Sequence, residues 1–576
     1  MSTSPATSPA LNIADRLRQT TAQMPEAVAV ACPRQGSPVA TLLGEHDQSV
    51  DAISRRYSTI TFRQLDAAAD RVARGLVELG VQPGMRLATL VRPGIEFIAV
   101  VFGIFRAGAV TVLIDPGMGR RNLVSCLAAA RPDGLVAIPV AHAIRSLLRR
   151  RFPDARYNVT VGRRWAWGDT TLAKLCQTGA KSSVKLPRTA ADQSAAIIFT
   201  TGSTGPPKGV HYRHSNFDAQ VDQIRDFYDI QPGEVDLSGF PLFALFNSAM
   251  GVTTIIPQMY ASRPARVDPA KIVQAVVDWQ ASQAFGSPAI WNRVGRYCQD
   301  RSIRLPSLRR VLSAGAPVPA DVVDRMKQCI APDGDVHTPY GATEALPVAS
   351  ISGTEILGET RNQTNRGAGV CVGRRFGGIE WKVIRTDDRP IADITGIVEE
   401  PVGTVGELIV RGPVVTREYV TRTDANPLSK IRDGTDVWHR MGDLGYFDDD
   451  GRFWFCGRKA HRVRAAHGTM YTIPCEAVFN MHPRIYRTAL VGVGPADRQT
   501  PVIVAEPHAE HWPRDKAIRE RLLSELSALA QHHDHTRPIE HFLLRRSLPV
   551  DIRHNAKIFR ERLAPWAARR IGSAAL

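Results

Sequence analysis

Ala195-Ala196-Ile197-Ile198-Phe199-Thr200-Thr201-Gly202-Ser203-Thr204-Gly205-Pro206-Pro207-Lys208-Gly209 reads as a buried strand opening into a phosphate-handling loop. The apolar residues predict the strand. In the loop Gly202 and Gly205 let backbone N–H groups approach an anion, the hydroxyls of Thr200, Thr201, Ser203 and Thr204 add donors, and Lys208 supplies positive charge. It is not a Walker A loop, because Pro207 rather than Gly precedes the lysine and no Ser or Thr follows it. Alone, the run fits a flexible Gly/Ser turn equally well.

Outward from this stretch the pattern alternates between helix and strand. Apolar residues at Leu65, Ala68, Val72, Leu76 and Leu79 predict a helix ending at Gly80, with Pro83-Gly84 leading into a strand over Leu87 to Val91. Phe97 to Phe105 predicts a buried helix and Val110 to Ile114 a buried strand, the succession of βαβ units on a parallel sheet. Phe97 to Ile114 and Phe240 to Pro257 are apolar enough to raise a membrane span. Arg106 with Gly103 and Gly108 interrupts the first, and Pro241, Asn247, Ser248 and Gly251 the second, so neither gives ~20 clean apolar residues. Both read as helix and strand pairs. From Gly367 to Val410 short strands and Gly/Pro turns predict a smaller β-rich subdomain, taken over about 367–440. No internal repeat is seen.

At 576 residues the chain exceeds one ordinary core, and its 44% hydrophobic and 22% charged residues are globular values. Eight cysteines stand singly with no CxxC pair, which argues for reduced thiols in a cytoplasmic protein and against disulfides or zinc. Met1 to Pro9, rich in Ser, Thr, Pro and Ala, has no apolar core and predicts a disordered arm rather than a targeting segment. The net charge of +17 points to attraction toward an acidic partner or a membrane surface. Even the densest clusters, Arg145 to Arg151 and Arg553 to Arg570, lack the motifs of a nucleic-acid module, so no nucleic acid is expected.

Four further segments follow the loop: Ser313-Ala314-Gly315-Ala316-Pro317, Tyr340-Gly341-Ala342-Thr343-Glu344, Met441-Gly442-Asp443-Leu444 with Gly457-Arg458, and Leu548-Pro549 with Ala556-Lys557-Ile558-Phe559-Arg560. In this order they resemble the adenylate-forming superfamily of acyl-CoA synthetases, peptide-synthetase adenylation domains and beetle luciferases, over nearly the whole chain. The resemblance implies an α/β fold with a large N-terminal adenylation domain (1–457) of βαβ-type sheets and a small mobile α+β lid (458–576). It implies that a carboxylate attacks the α-phosphorus of ATP, with Mg2+, to give an acyl-adenylate and pyrophosphate. Lys557 is then the catalytic lysine bridging carboxylate and α-phosphate, Glu344 the magnesium-binding acid with Thr343 beside it, and Asp443 the acceptor of both ribose hydroxyls. Arg458 contacts ribose and phosphate. Tyr340 stacks on adenine next to Gly341, and Gly315, Ala316 and Pro317 line the base pocket. Without the motifs, Lys557 would read as a solvated lysine, Glu344 as a helix N-terminal acid and Tyr340 as core packing. Asp448, Asp449 and Asp450 read as a solvated turn, and His532-His533-Asp534-His535 as a solvated helix end rather than a metal site.

Departures from the superfamily pattern fall on the acceptor side. An ungapped register anchored on Glu476-Ala477-Val478 and His482-Pro483 puts Ala460 at the hinge where an acid or lysine is usual, and Ala466 and His467 where glycine is expected. Pro241-Leu242-Phe243-Ala244 carries alanine where many CoA ligases carry histidine. An adenylation kit with an altered acceptor side suggests a second nucleophile other than CoA. The stretches Pro241 to Gly251 and Asp115 to Asn122 resemble the β-lactone-forming branch found in bacterial long-chain olefin biosynthesis. That branch implies a long-chain 2-alkyl-3-hydroxy acid whose own 3-hydroxyl displaces AMP, and a complex with other enzymes of the same pathway. The alternatives left open are a long-chain fatty acyl-CoA synthetase and a non-catalytic nucleotide-binding module.

Overall fold

The computed structural model describes residues 12–34, 38–44, 55–163, 167–200, 205–240, 243–260, 263–550 and 557–572. The N-terminal arm, the loop residues Thr201, Gly202, Ser203 and Thr204, the Pro241-Leu242 pair and Ala556 lie outside the described residues.

The strand Ser194–Phe199 joins a seven-stranded sheet in the order Thr170–Thr171, Tyr157–Thr160, Gly134–Ala137, Arg86–Leu90, Val110–Leu113, Ser194–Phe199 and Gly209–Arg213. All neighbours are parallel except the last, which returns antiparallel after the Gly/Ser-rich loop. The predicted helix at Leu65 begins earlier, at Phe62, and runs to Glu78. Thr61 caps it: Gln64 N donates to Thr61 Oγ1 at 3.2 Å and Thr61 N to Gln64 Oε1 at 3.1 Å, satisfying donors that a helix start otherwise leaves orphaned.

Helix Ile95–Arg106 is buried along its whole length, which explains its membrane-like composition. Arg106 is 3% exposed yet paired with Asp66 and, at 2.7 Å, with Asp70, so its charge is compensated. Phe240 to Pro257 resolves into helix Phe243–Met250 and strand Thr253–Ile255. Among the described residues no helix is long and apolar enough to cross a membrane.

A nine-stranded sheet has a parallel middle that includes Arg310–Ser313 beside Asp335–Ala342, and antiparallel ends. A third, antiparallel sheet begins at Val370–Cys371 and continues past residue 440 through the long hairpin Asp436–Phe447 and Phe453–Arg458. Asp448 at that hairpin's tip is not simply solvated. It accepts from Arg452 Nε and Trp454 Nε1, both at 2.8 Å, and so braces the turn; Asp449 and Asp450 are exposed.

After Arg458 comes a three-stranded sheet, Ile485–Val493, Thr500–Pro507 and His541–Leu544, with helices Thr472–Asn480, Lys516–Ala530 and Arg560–Ile571 and its own core. The His532 to His535 run follows the end of helix Lys516–Ala530, and His535 Nε2 lies 3.2 Å from Pro474 O. Among the described residues no group of three metal-ligating side chains occurs there or elsewhere.

Candidate active site

Asp443 and Arg458 are register partners on neighbouring antiparallel strands, which places their side chains together. Arg458 Nη1 donates to Asp443 Oδ1 at 2.7 Å, and Tyr340 OH donates to Oδ2 at 2.5 Å from the adjoining sheet. Burial, reinforced by Asp443, pushes the Tyr340 phenol well above its usual range, so it remains a donor. Asp443 itself is 4% exposed. Each carboxylate oxygen has two lone-pair directions, so the pair engaged here leaves acceptor capacity for two hydroxyl donors. The glycine before Arg458 is required twice over: Gly457 has φ +133°, and a Cβ there would lie 2.4 Å from Thr472 Oγ1. Replacing Asp443 with asparagine keeps the shape but removes the charge. ATP affinity measured by titration calorimetry is expected to weaken by ~1.5 to 3 kcal/mol. Unchanged affinity with a sharply lower Tm would make Asp443 structural.

Thr343 and Glu344 occupy the tight turn between strands Asp335–Ala342 and Ala345–Ser352, so Glu344 is not a helix N-terminal acid. Side chains from distant segments fix this turn. Tyr212 OH donates to Thr343 O at 2.5 Å, Thr416 donates to Glu344 O through both N and Oγ1 at 2.9 Å, and Tyr419 OH donates to Glu344 Oε1 at 2.6 Å. Lys208 Nζ sits 4.6 Å from the centre of the Tyr419 ring. Thr200 closes the base of the Gly/Ser-rich loop: Thr200 N donates to Lys208 O at 3.0 Å and Lys208 N to Thr200 Oγ1 at 3.1 Å.

Lys430 Nζ donates to Thr416 O and lies 5.8 Å from the Tyr419 ring centre. Burial pulls its pKa down to about 7, with Glu344 opposing and Lys208 adding to the fall. Burial likewise lowers Lys208. Both lysines therefore share the field of the Glu344 carboxylate, while burial disfavours their charged forms. Thr416, Tyr419 and Lys430 have no sequence signal, because they are isolated residues far from the motifs, and Tyr212, only four residues past Lys208, lies just outside the loop pattern. Gly315, Ala316 and Pro317 follow the C-terminal end of strand Arg310–Ser313, beside the strand carrying Tyr340. In open α/β sheets that edge is where ligands bind.

Behind Tyr212 lies an apolar cavity lined by Phe105, Leu113, Ile198, Phe217, Phe243 and Phe246, with Gln220 and Tyr212 as its polar members. Gln220 is 1% exposed. Its Nε2 donates to Leu346 O at 2.6 Å, which fixes the amide, while Oε1 has no partner among the described residues.

Ala460 lies in the turn Lys459–His461 that leads to the C-terminal unit. Lys459 Nζ binds Glu407 Oε2 at 2.9 Å, and the same oxygen receives Arg440 at 2.5 Å, with both Glu407 and Arg440 side chains 1% exposed. Beyond it, strands Val463–Ala465 and Gly468–Met470 form a hairpin whose turn is Ala466-His467. A glycine is present one position later than the ungapped register: Gly468, with φ +136°, opens the second strand directly after the turn. Lys557 stands on the C-terminal unit, one residue ahead of the bridge joining Val550 and Ile558. Its segment is anchored by Phe559 N to Pro549 O at 2.8 Å and by Arg560 Nη2 on both oxygens of Glu476 at 2.5 and 2.8 Å.

Residues 12–420 match the AMP-binding enzyme family. The chain belongs to that family. This AMP-binding enzyme is 45% identical over 562 residues to an olefin beta-lactone synthetase of Xanthomonas campestris pv. campestris, covering 97% of each chain. It is 44% identical over 563 residues to another of Stenotrophomonas maltophilia, covering 97% of this chain and 98% of that one. Its fold matches o-succinylbenzoate CoA synthetase of Bacillus subtilis, solved with an acyl-adenylate intermediate, at TM-score 0.71 and 19% identity over 96% of this chain and 98% of that one.

Proposed function

We propose that this AMP-binding enzyme uses ATP to adenylate a long-chain 2-alkyl-3-hydroxy fatty acid and then closes it to a β-lactone, releasing pyrophosphate and AMP. The observation that carries this reading is end-to-end similarity at 45% identity to an olefin beta-lactone synthetase.

In the first step a carboxylate oxygen forms a bond to the α-phosphorus and the bond from that phosphorus to the bridging oxygen of the β-phosphate breaks, so pyrophosphate leaves with the electron pair. Asp443 holds the ribose hydroxyls, Arg458 orients Asp443 and faces the phosphate, and Tyr340 packs against the base with Gly315, Ala316 and Pro317 beneath it. The phosphate loop and Lys208 hold the leaving polyphosphate. Lys557 bridges the two reacting anions as charge develops between them. Glu344 suits Mg2+: it is a single carboxylate with one oxygen held by Tyr419, and Mg2+ binds through one or two carboxylates plus phosphate oxygens and water. When bound, that ion neutralises polyphosphate charge.

In the second step the 3-hydroxyl oxygen bonds to the acyl carbon, its proton leaves to solvent or to the phosphate, and the bond from that carbon to the AMP oxygen breaks. Tethering makes the four-membered ring accessible, since an oriented intramolecular nucleophile acts at an effective molarity on the order of 10⁵ M or more. The apolar lining of the cavity suits the start of an alkyl arm. Gln220 Oε1 is a buried acceptor beside it, and the 3-hydroxyl is the donor that would satisfy it, positioning the nucleophile. Gln220→Leu should then cut AMP release from the hydroxy acid by about tenfold or more while leaving pyrophosphate exchange on a 3-deoxy acid near wild type. An equal fall on both acids would reduce Gln220 to a strap on Leu346.

We place the domain boundary between residues 457 and 458, with the C-terminal unit as a mobile lid, and locate the enzyme in the cytoplasm, where its eight free cysteines stay reduced. Other enzymes of the same pathway are its expected partners, because the product is water-insoluble. A second reading, acyl transfer to CoA, is favoured by one observation, Gly468 in the segment where thioester-forming members carry glycine.

A further inference from the structure

The arginine cluster after residue 145 takes no part in the site. It ends a nine-residue surface helix, Pro139–Leu147, that continues into the turn Arg149–Arg151. One side of this helix is tied to the seven-stranded sheet: His142 is fully buried, and its Nε2 lies 3.0 Å from Val159 O. The outward side is apolar. Val140 is 52% exposed, Ile144 39%, Leu147 83% and Leu148 36%. Their spacing of i, i+4, i+7 and i+8 makes a single stripe. Arg149, Arg150 and Arg151 are all exposed and enter no ion pair among the described residues, whereas Arg131 nearby in the chain is paired with Asp154 at 3.0 Å.

Exposed leucines alone would need no explanation, and neither would arginines alone. A continuous apolar stripe that runs into three unpaired cations has the chemistry of an element lying in the headgroup plane of an anionic bilayer, with apolar side chains wedged between lipids and guanidinium groups on phosphates. We propose that Pro139–Arg151 docks the enzyme on an anionic lipid surface. The choice of lipid over an acidic protein rests on the two-chain, water-insoluble substrate proposed above, which partitions into such a surface.

The test uses the full chain, without ATP or acid, sedimented with vesicles of phosphatidylglycerol and phosphatidylcholine or of phosphatidylcholine alone. Wild type should bind the anionic vesicles far better, and the binding should fall with salt. Arg149→Glu with Arg150→Glu should lower partitioning by at least about 25-fold, at about fivefold for each arginine near an anionic surface. Leu147→Glu should lower it by about tenfold by removing the deepest apolar contact. Pyrophosphate exchange with a short-chain, soluble hydroxy acid should be unchanged in both variants, which shows that they fold. Equal sedimentation of wild type and variants, equal binding to both vesicle types, or no binding to either overturns the proposal. Because no substrate is present, the outcome is independent of the reaction assignment, and a failed lactone assay leaves the vesicle result standing.

Discussion

Lys557→Ala is expected to lower pyrophosphate release by roughly two or more orders of magnitude, a loss of ~3 kcal/mol or more of transition-state stabilisation, while ATP binding is largely kept. The separation of the two effects follows from the architecture. The residues proposed to hold the ribose and phosphates reside on sheets that end at Arg458, whereas Lys557 belongs to the unit after it, on a segment pinned by Arg560 to Glu476. Removing one ammonium therefore leaves the nucleotide cluster intact and takes away charge that is needed only as two anions react. Single-turnover pyrophosphate release and ATP titration, measured on the same preparation, check both halves. Near-wild-type release would remove Lys557 from the chemistry.

The second large effect lies in the substrate. A matched acid lacking the 3-hydroxyl should form adenylate and then stall, with multiple-turnover AMP release at least about a hundredfold below that of the hydroxy acid, because without the tethered hydroxyl only slow hydrolysis can discharge the mixed anhydride. CoA should neither accelerate AMP release nor appear in the product. Measuring both acids side by side, with and without CoA, and identifying products by mass spectrometry decides between the readings. Equal AMP release from both acids, or a CoA thioester, would return the chain to the acyl-CoA synthetases and give Gly468 its usual meaning.

The parts of this protein that the sequence made legible are those where one stretch carries the whole signal. Ile197 and Phe199 read as a strand from composition, and Phe97 to Phe105 as a buried helix from length and breaks. Asp443 and Arg458 stood in motifs. What could not be read is what depends on register between distant segments. Nothing in the sequence places Tyr419 against Glu344, or Tyr212 against Thr343, since each pairing spans more than a hundred residues or a change of sheet. Thr61 moved a helix start because a cap outweighs the first apolar residue, and Gly468 was missed because a hairpin turn tolerates a shift that an ungapped register does not. Gln220 is informative only for what it lacks, and an unsatisfied oxygen has no sequence signal.

Glu407 holds two basic side chains at once at the joint between the two units. Its Oε2 serves both Arg440, which belongs to the same sheet, and Lys459, which leads out of it, while Oε1 has no partner among the described residues. Parting a lone buried ion pair strands a naked charge at a cost of ~3 to 5 kcal/mol. Here, if Lys459 swings away with the lid, the carboxylate keeps Arg440 and has a spare oxygen on which to re-seat it, and the departing ammonium is rehydrated. On the proposed lid motion, the joint would act as a swivel with a permanent pin, and the sheet beneath it would not have to loosen.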